Sequence, residues 1–266
     1  MADATAAGLR LAGTWGLDFP ARPGGRSFVE MGGELLAGPP GQDGRNRQDG
    51  QDGRPAPGAP PPRPLDYLVV AHEAYDATPA GLVAGYLADA CPGDPRAFSL
   101  ADQGIGAPFS GLRILDRIHR AGGLDDAALF VLDPAAGAVL ALGGTGDWAL
   151  RTVAEERAGA AADCLPPLTG APAPPLASPS APASGRAPGP RTAYLLGEGL
   201  RDLAGALEAT GAMVRHAAPG QGCAGVWRAL PAALRGAAGE GAERLVVADR
   251  DRGLGRLHLA AFVPLS

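Results

Sequence analysis

The hydrophobic positions fall in short blocks, and two long stretches contain almost none. Residues 67–71 read YLVVA, a continuous apolar run of the kind a strand buried on both faces requires. Residues 97–100, 129–132, 138–142, 193–196, 213–215, 245–248 and 257–263 read as further strands, and 9–16 is short and apolar. Between these blocks, 28–36, 78–90, 106–121, 199–208 and 223–234 place apolar residues at helical spacing. In 78–90 the apolar stripe is Leu82, Val83, Tyr86 and Leu87. The segment 106–121 is apolar almost all round in its first half, which predicts a central helix. A further helix is predicted over 148–162. Such strand–helix alternation means an α/β fold, with helices covering a mixed sheet.

The two stretches without apolar blocks are 37–64 and 163–191. The first repeats Gln-Asp-Gly three times, and the second is a run of Pro, Ala, Ser and Gly. Neither can bury enough surface to offset the entropy of ordering it, so both are read as disordered linkers. Most of the 27 prolines fall in them, which leaves about 210 residues for a core. The charges add exclusions. All 23 basic residues are arginine, against 28 acidic ones, a net charge of -5. No basic patch stands out, which argues against nucleic acid as a partner. No apolar run reaches the length of a membrane span. The first residues lack the pattern of a secretory signal. Three scattered cysteines, Cys91, Cys164 and Cys223, fit a reducing cytoplasm and show no metal-ligand spacing. No glycine-rich phosphate motif follows the first strand, so no cofactor is expected.

The chain also repeats itself. Residues 98–133 read FSLADQGIGAPFSGLRILDRIHRAGGLDDAALFVLD, and 216–249 read HAAPGQGCAGVWRALPAALRGAAGEGAERLVVAD. Each has a short strand, a Gln-Gly turn, an apolar helix with Leu and Arg, a Gly-rich break and a buried strand. A linker precedes the LDYLVV strand in one half and the TAYLL strand in the other. Two similar halves, 1–143 and 144–266, imply a pseudo-twofold arrangement.

These parts resemble the thiolase fold, and within it the β-ketoacyl-acyl-carrier-protein synthase III group. LDYLVVAHEAYDATP, GLVAGYLADA, AFSLADQGIG and SGLRIL are similar to that family's N-terminal half, in which a Gln-Gly-Cys elbow enters a helix. The strand at 135–142 is similar to the one closing that half. GQGCAG and ADRDRGLGRLHLAAFV resemble its C-terminal end, a Gly-Asn-Thr turn and a final hairpin. The resemblance implies duplicated α/β/α halves with mixed sheets around buried helices. It also implies a cysteine nucleophile with a histidine and an asparagine that stabilise the thioester oxyanion. A thiol belongs at that elbow because the helix N-terminus lowers its pKa and the free N–H groups hold an oxyanion. The corresponding position here is Ile105. The histidine would follow the TAYLL strand, where Leu196-Gly197-Glu198-Gly199 stands. The asparagine would lie in the turn holding Gln221, and the only asparagine of the chain is Asn46.

The resemblance therefore implies a non-catalytic ketosynthase-like protein of fatty-acid or polyketide-type biosynthesis. Its expected partners are a ketosynthase-like subunit, as a homo- or heterodimer, and an acyl carrier protein. Arg113, Arg117 and Arg120 are the candidate contacts with an acidic carrier. The alternative is an active acyltransferase or ketosynthase using Cys223, in a turn entering a helix, with His216 as its base. Other polar positions read as bland. His72 and Glu73 follow a buried strand and are taken as a surface loop. His119 is expected in solvent, and His258 is expected to face away from the core. Asp125 and Asp126 read as a turn, and Asp249, Arg250, Asp251 and Arg252 as a solvated hairpin tip.

Overall fold

The computed structural model describes residues 8–21, 25–38, 64–73, 82–157 and 191–265. Ten strands form one mixed sheet in the order β3-β2-β4-β5-β1-β6-β10-β9-β7-β8. The strands are β1 (Arg10–Asp18), β2 (Tyr67–His72), β3 (Arg96–Leu100), β4 (Asp126–Asp133), β5 (Ala136–Gly143), β6 (Trp148–Arg157), β7 (Thr192–Leu196), β8 (Met213–His216), β9 (Arg244–Asp251) and β10 (Arg256–Pro264). The helices are α1 (Phe28–Ala37), α2 (Val83–Ala90), α3 (Ala107–Arg120), α4 (Ala204–Glu208) and α5 (Gly225–Gly239). Single 3-10 segments, Gly104–Gly106 and Gly222–Ala224, lead into α3 and α5, and another, Glu198–Leu203, leads into α4.

The five strands that precede Gly144 lie on one side of the sheet and the five that follow lie on the other. They meet where β1 runs antiparallel to β6, Leu11 opposite Trp148. Within each half, strand faces alternate as the pleat demands. Val69, Ala71, Leu129 and Val131 face inward with Ala193, Leu195, Leu245 and Val247, around α3 and α5. Leu68, Val70, Phe130 and Leu132 face outward beneath α1 and α2. Tyr194, Leu196, Val246 and Ala248 face outward beneath Leu200 and Leu207. The result is a layered arrangement with the two sequence-predicted apolar helices at its centre. An offset of 118 positions relates Phe109 of α3 to Trp227 of α5. These two rings meet edge to face, 4.9 Å apart. Both are fully buried, so the repeat is closed by a contact between its own equivalent residues.

Several expectations need correction. The segment predicted as a helix over 148–162 is strand β6 as far as Arg157, and 158–162 lie outside the described residues. Its register with β10, from Trp148 opposite Pro264 to Arg157 opposite Arg256, supplies the pairing. Only its first three residues are buried, so its apolar positions never showed a strand's alternation. Helix α2 begins at Val83, and 78–81 lie outside the described residues. Its buried face is Val83, Ala84 and Leu87, whereas Leu82 and Tyr86 are 88% and 54% exposed. His258 is 4% exposed and stacks on Phe109 with ring centroids 5.5 Å apart. It is not turned to solvent, because both faces of β10 are covered. His119 is half-buried, its Nδ1 2.9 Å from the Leu124 carbonyl oxygen. Asp126 opens β4 and is not turn, and Asp66 accepts the backbone N–H groups of Asp125 and Asp126. The linkers at 37–64 and 163–191 fall almost wholly outside the described residues, as does Cys164. No helix among the described residues is long and apolar enough to cross a membrane.

Candidate functional site

The two helix-entry turns are near copies. Gln103 and Gln221 precede them with almost equal backbone angles, φ -112° and -105°. Gly104 and Gly222 follow in the left-handed region at +53° and +43°. Ile105 and Cys223 occupy the next position. Each turn receives a carboxylate from the other half. Asp251, ending β9, lies against Gly104, and Asp133, ending β4, lies against Gly222. A β-carbon on either glycine would collide with that carboxylate, so the close approach and the positive φ both demand glycine. Asp18, ending β1, adds a further tie to the second turn. It accepts from Gln221 Nε2 and from Arg228 Nη2, each at 2.9 Å.

Beside the two turns opens a cleft of about 560 Å³. Glu73, Ile105, Glu198, Gln221, Asp249 and Asp251 are among its lining residues, with Arg201, Arg250 and Arg252. Of the four residues read as a solvated hairpin tip, Asp249, Arg250 and Asp251 belong to β9 and wall the cleft, whereas Arg252 is an exposed turn residue at its edge. Asp249 and Asp251 are buried because they belong to β9, and the turn begins only after Asp251. Asp249 Oδ1 accepts from the Arg250 N–H at 2.8 Å and from the Gly199 N–H at 3.3 Å. Burial outweighs these bonds and pushes its pKa up to about 6. Arg250 pairs with Asp202 at 3.0 Å. Glu73, read from sequence as loop, lines the cleft, while His72 packs its ring against Phe28 at 5.0 Å.

Cys223 does not reach this space. Its side chain is buried, and its thiol lies 3.6 Å from the Leu132 carbonyl oxygen. Burial, then the nearby Asp133 and Glu73 carboxylates, drive its pKa far above the ordinary thiol value. His216 ends β8 in an exposed position and is not part of the cleft wall. The carrier-contact candidates lie on α3. Arg113 pairs with Glu155 at 3.6 Å, Arg120 pairs with Asp116 at 2.8 Å, and Arg117 is exposed.

The sequence matches no protein-family model and no curated protein. Solved structures do match. A variant of OleA from Xanthomonas campestris superposes with a TM-score of 0.59 over 96% of this chain and 98% of that one, at 12% identity. AbyA1, a tetronic acid condensing enzyme, gives 0.55 over 74% of this chain and 79% of that one, at 14% identity. The chain has a thiolase-like fold. It is the fold of ketosynthase-type condensing enzymes. In this thiolase-like chain, the three positions at which the sequence resemblance would put the nucleophile, histidine and asparagine are Ile105, Glu198 and Gln221. The structure brings all three to the wall of one cleft. The residues that sequence reasoning missed are Asp133 and the buried pair Asp249 and Asp251. For Asp133 and Asp251 a signal was available in the repeat, since they stand at the same 118-residue offset as the two turns; Asp249 has Val131 at that offset and gave none.

Proposed function

We propose that this chain is a non-catalytic ketosynthase-like protein of fatty-acid or polyketide-type biosynthesis, acting beside an active ketosynthase subunit or its acyl carrier protein. One observation carries the reading. The described residues lining the cleft include no cysteine, serine, threonine or histidine. Ile105 stands at the helix-entry turn, where a nucleophile would gain most from the helix dipole and free N–H groups. A hydrocarbon side chain forms no thioester. Glu198 stands where the resemblance would put the histidine, and a carboxylate there opposes the enolate that develops in a decarboxylative condensation. The reading in which Cys223 is the nucleophile is disfavoured by the burial of its thiol and by the carboxylates that suppress its thiolate.

The experiment is a condensation assay with acyl- and malonyl-thioester donors, run on this chain alone and mixed with a competent ketosynthase. The chain alone is expected to release no thiol above the blank, and to change the rate of the ketosynthase or co-elute with it. A 3-oxoacyl product from the chain alone, abolished by Cys223→Ala, overturns the reading. The carrier contact is tested separately by Arg113→Glu, Arg117→Glu and Arg120→Glu. Weaker carrier binding, with a reduced salt dependence, is expected. Unchanged binding removes these arginines from the proposal.

A further inference from the structure

We propose that His258 is a proton-operated latch on the cleft: the neutral ring holds the turn Gly104–Gly106 in place, and the protonated ring releases it. The second half of the chain grips this turn at both ends. Asp251, ending β9, lies against Gly104. The His258 ring, on β10, lies against Gly106, where a β-carbon would stand 2.5 Å from Cε1 and 2.7 Å from Nε2. Between the two grips, Ile105 lines the cleft. The same turn touches its counterpart, Gly222–Ala224. A displacement of Gly106 therefore moves the cleft wall.

The surroundings suit a neutral ring. His258 is buried and stacks on Phe109 with 25° between the ring planes. Its Nε2 is buried with no hydrogen-bond partner among the described residues. An unpaired lone pair costs less there than an unpaired N–H, so the neutral ring carries its proton on Nδ1. Protonation adds an N–H at Nε2, where nothing accepts it, and buries a charge between the two halves. Charged groups face the ring from each packed element. Helix α3 supplies Arg113, β6 supplies Glu155 opposite His258 in register, and β10 itself supplies Arg256. Strand β9 supplies Asp249, also opposite in register, and Asp251. Glu155 is engaged with both Arg113 and Arg256. Asp249 Oδ1 is engaged with two backbone N–H groups. Asp251 is the carboxylate that favours the imidazolium, and it is also the one gripping Gly104. An imidazolium turning to Asp251 thus loosens both grips at once. Burial holds the His258 pKa below its usual value of 6.5; Asp251 opposes this, and Arg256 and Arg113 add to it. The unfolded chain therefore takes the proton first. The stability of the latched state is complete above 6.5 and is lost as pH falls below it, the opposite sense to Asp249.

The test is hydrogen exchange of the full chain read by mass spectrometry at about pH 7.5 and about pH 5, corrected for the intrinsic pH dependence of exchange. Protection of the peptide spanning 104–109 is expected to fall by at least about tenfold at the lower pH, while that of β4 stays unchanged. In His258→Phe and His258→Gln the acid-induced loss at 104–109 is expected to disappear. Because either variant can disturb the packing against Gly106, the wild type is also followed by NMR of its histidine ring protons. The His258 resonance is expected to titrate below 6.5, with the same midpoint as the loss of protection. Unchanged protection at 104–109 overturns the proposal, as does a parallel loss in β4, which would be general acid unfolding. So does a loss that persists in a folded His258 variant, or a His258 midpoint that differs from that of the turn. The latch adds control to the cleft without resting on the absence of condensation. None of these readouts uses acyl chemistry, so failure here leaves the proposed function standing.

Discussion

A single added carbon reports on how the two halves interlock. At Gly222 a β-carbon would meet the Asp133 carboxylate, and φ is +43°. Gly222→Ala is therefore expected to destabilise the fold by about 1–3 kcal/mol, read as a lower urea midpoint. Gly33→Ala in α1, where nothing lies within 4 Å, is expected to stabilise by about 0.5–1 kcal/mol through helix propensity alone. Asp249 makes a prediction about pH. Its folded pKa of about 6 lies above the unfolded value, so the folded state holds the proton more tightly. The stability it contributes is complete below the unfolded pKa and is lost as pH rises through about 6. Asp249→Asn is expected to remove up to about 3 kcal/mol of that decline between pH 4 and 7, measured by urea melts across the range. A matching slope in variant and wild type would contradict the assignment. At this scale the sequence was only partly legible. Ile105, Glu198 and Gln221 could be placed by motif. Asp251 was open to the repeat offset it shares with Asp133, but Asp249 was not, because alternating Asp and Arg look alike in a solvated turn and at a strand end that faces a cleft.

Among the elements, the buried strands β2, β4, β7 and β9 and the two central helices were legible because their apolar content is continuous or strongly periodic. Strand β6 was not. Its residues from Arg151 onward are exposed or half-buried, so it is defined by its partners β10 and β1 and not by its own pattern. Helix α2 was misread in its face: Leu82 and Tyr86 share helical spacing with Val83 and Leu87 yet point to solvent. This separates two substitutions. Leu87→Ala is expected to cost about 2–5 kcal/mol, since Leu87 is fully buried against Gly32 of α1. Leu82→Ser is expected to stay within about 0.5 kcal/mol. Thermal or urea midpoints of the two variants check the face directly. Equal losses would mean that α2 is rotated from the position described.

The molecule as a whole has the fold of ketosynthase-type condensing enzymes. Each half lends a strand-end aspartate to the other half's helix-entry turn, and the paired Phe109 and Trp227 rings seal the middle. Trp227→Ala removes the largest side chain of that contact and is expected to cost about 3–5 kcal/mol, since the cavity opens between two central helices that cannot collapse independently. The turn geometry depends on glycine, glutamine and aspartate and not on the residue that follows, so under the proposed reading the form persists with Ile105 in one turn and Cys223 in the other. The most direct test is the intact mass of the folded chain after incubation with a panel of acyl-CoA and acyl-carrier thioesters. No mass gain is expected with any donor. A gain of one acyl group that disappears in Cys223→Ala would contradict it and make Cys223 the nucleophile.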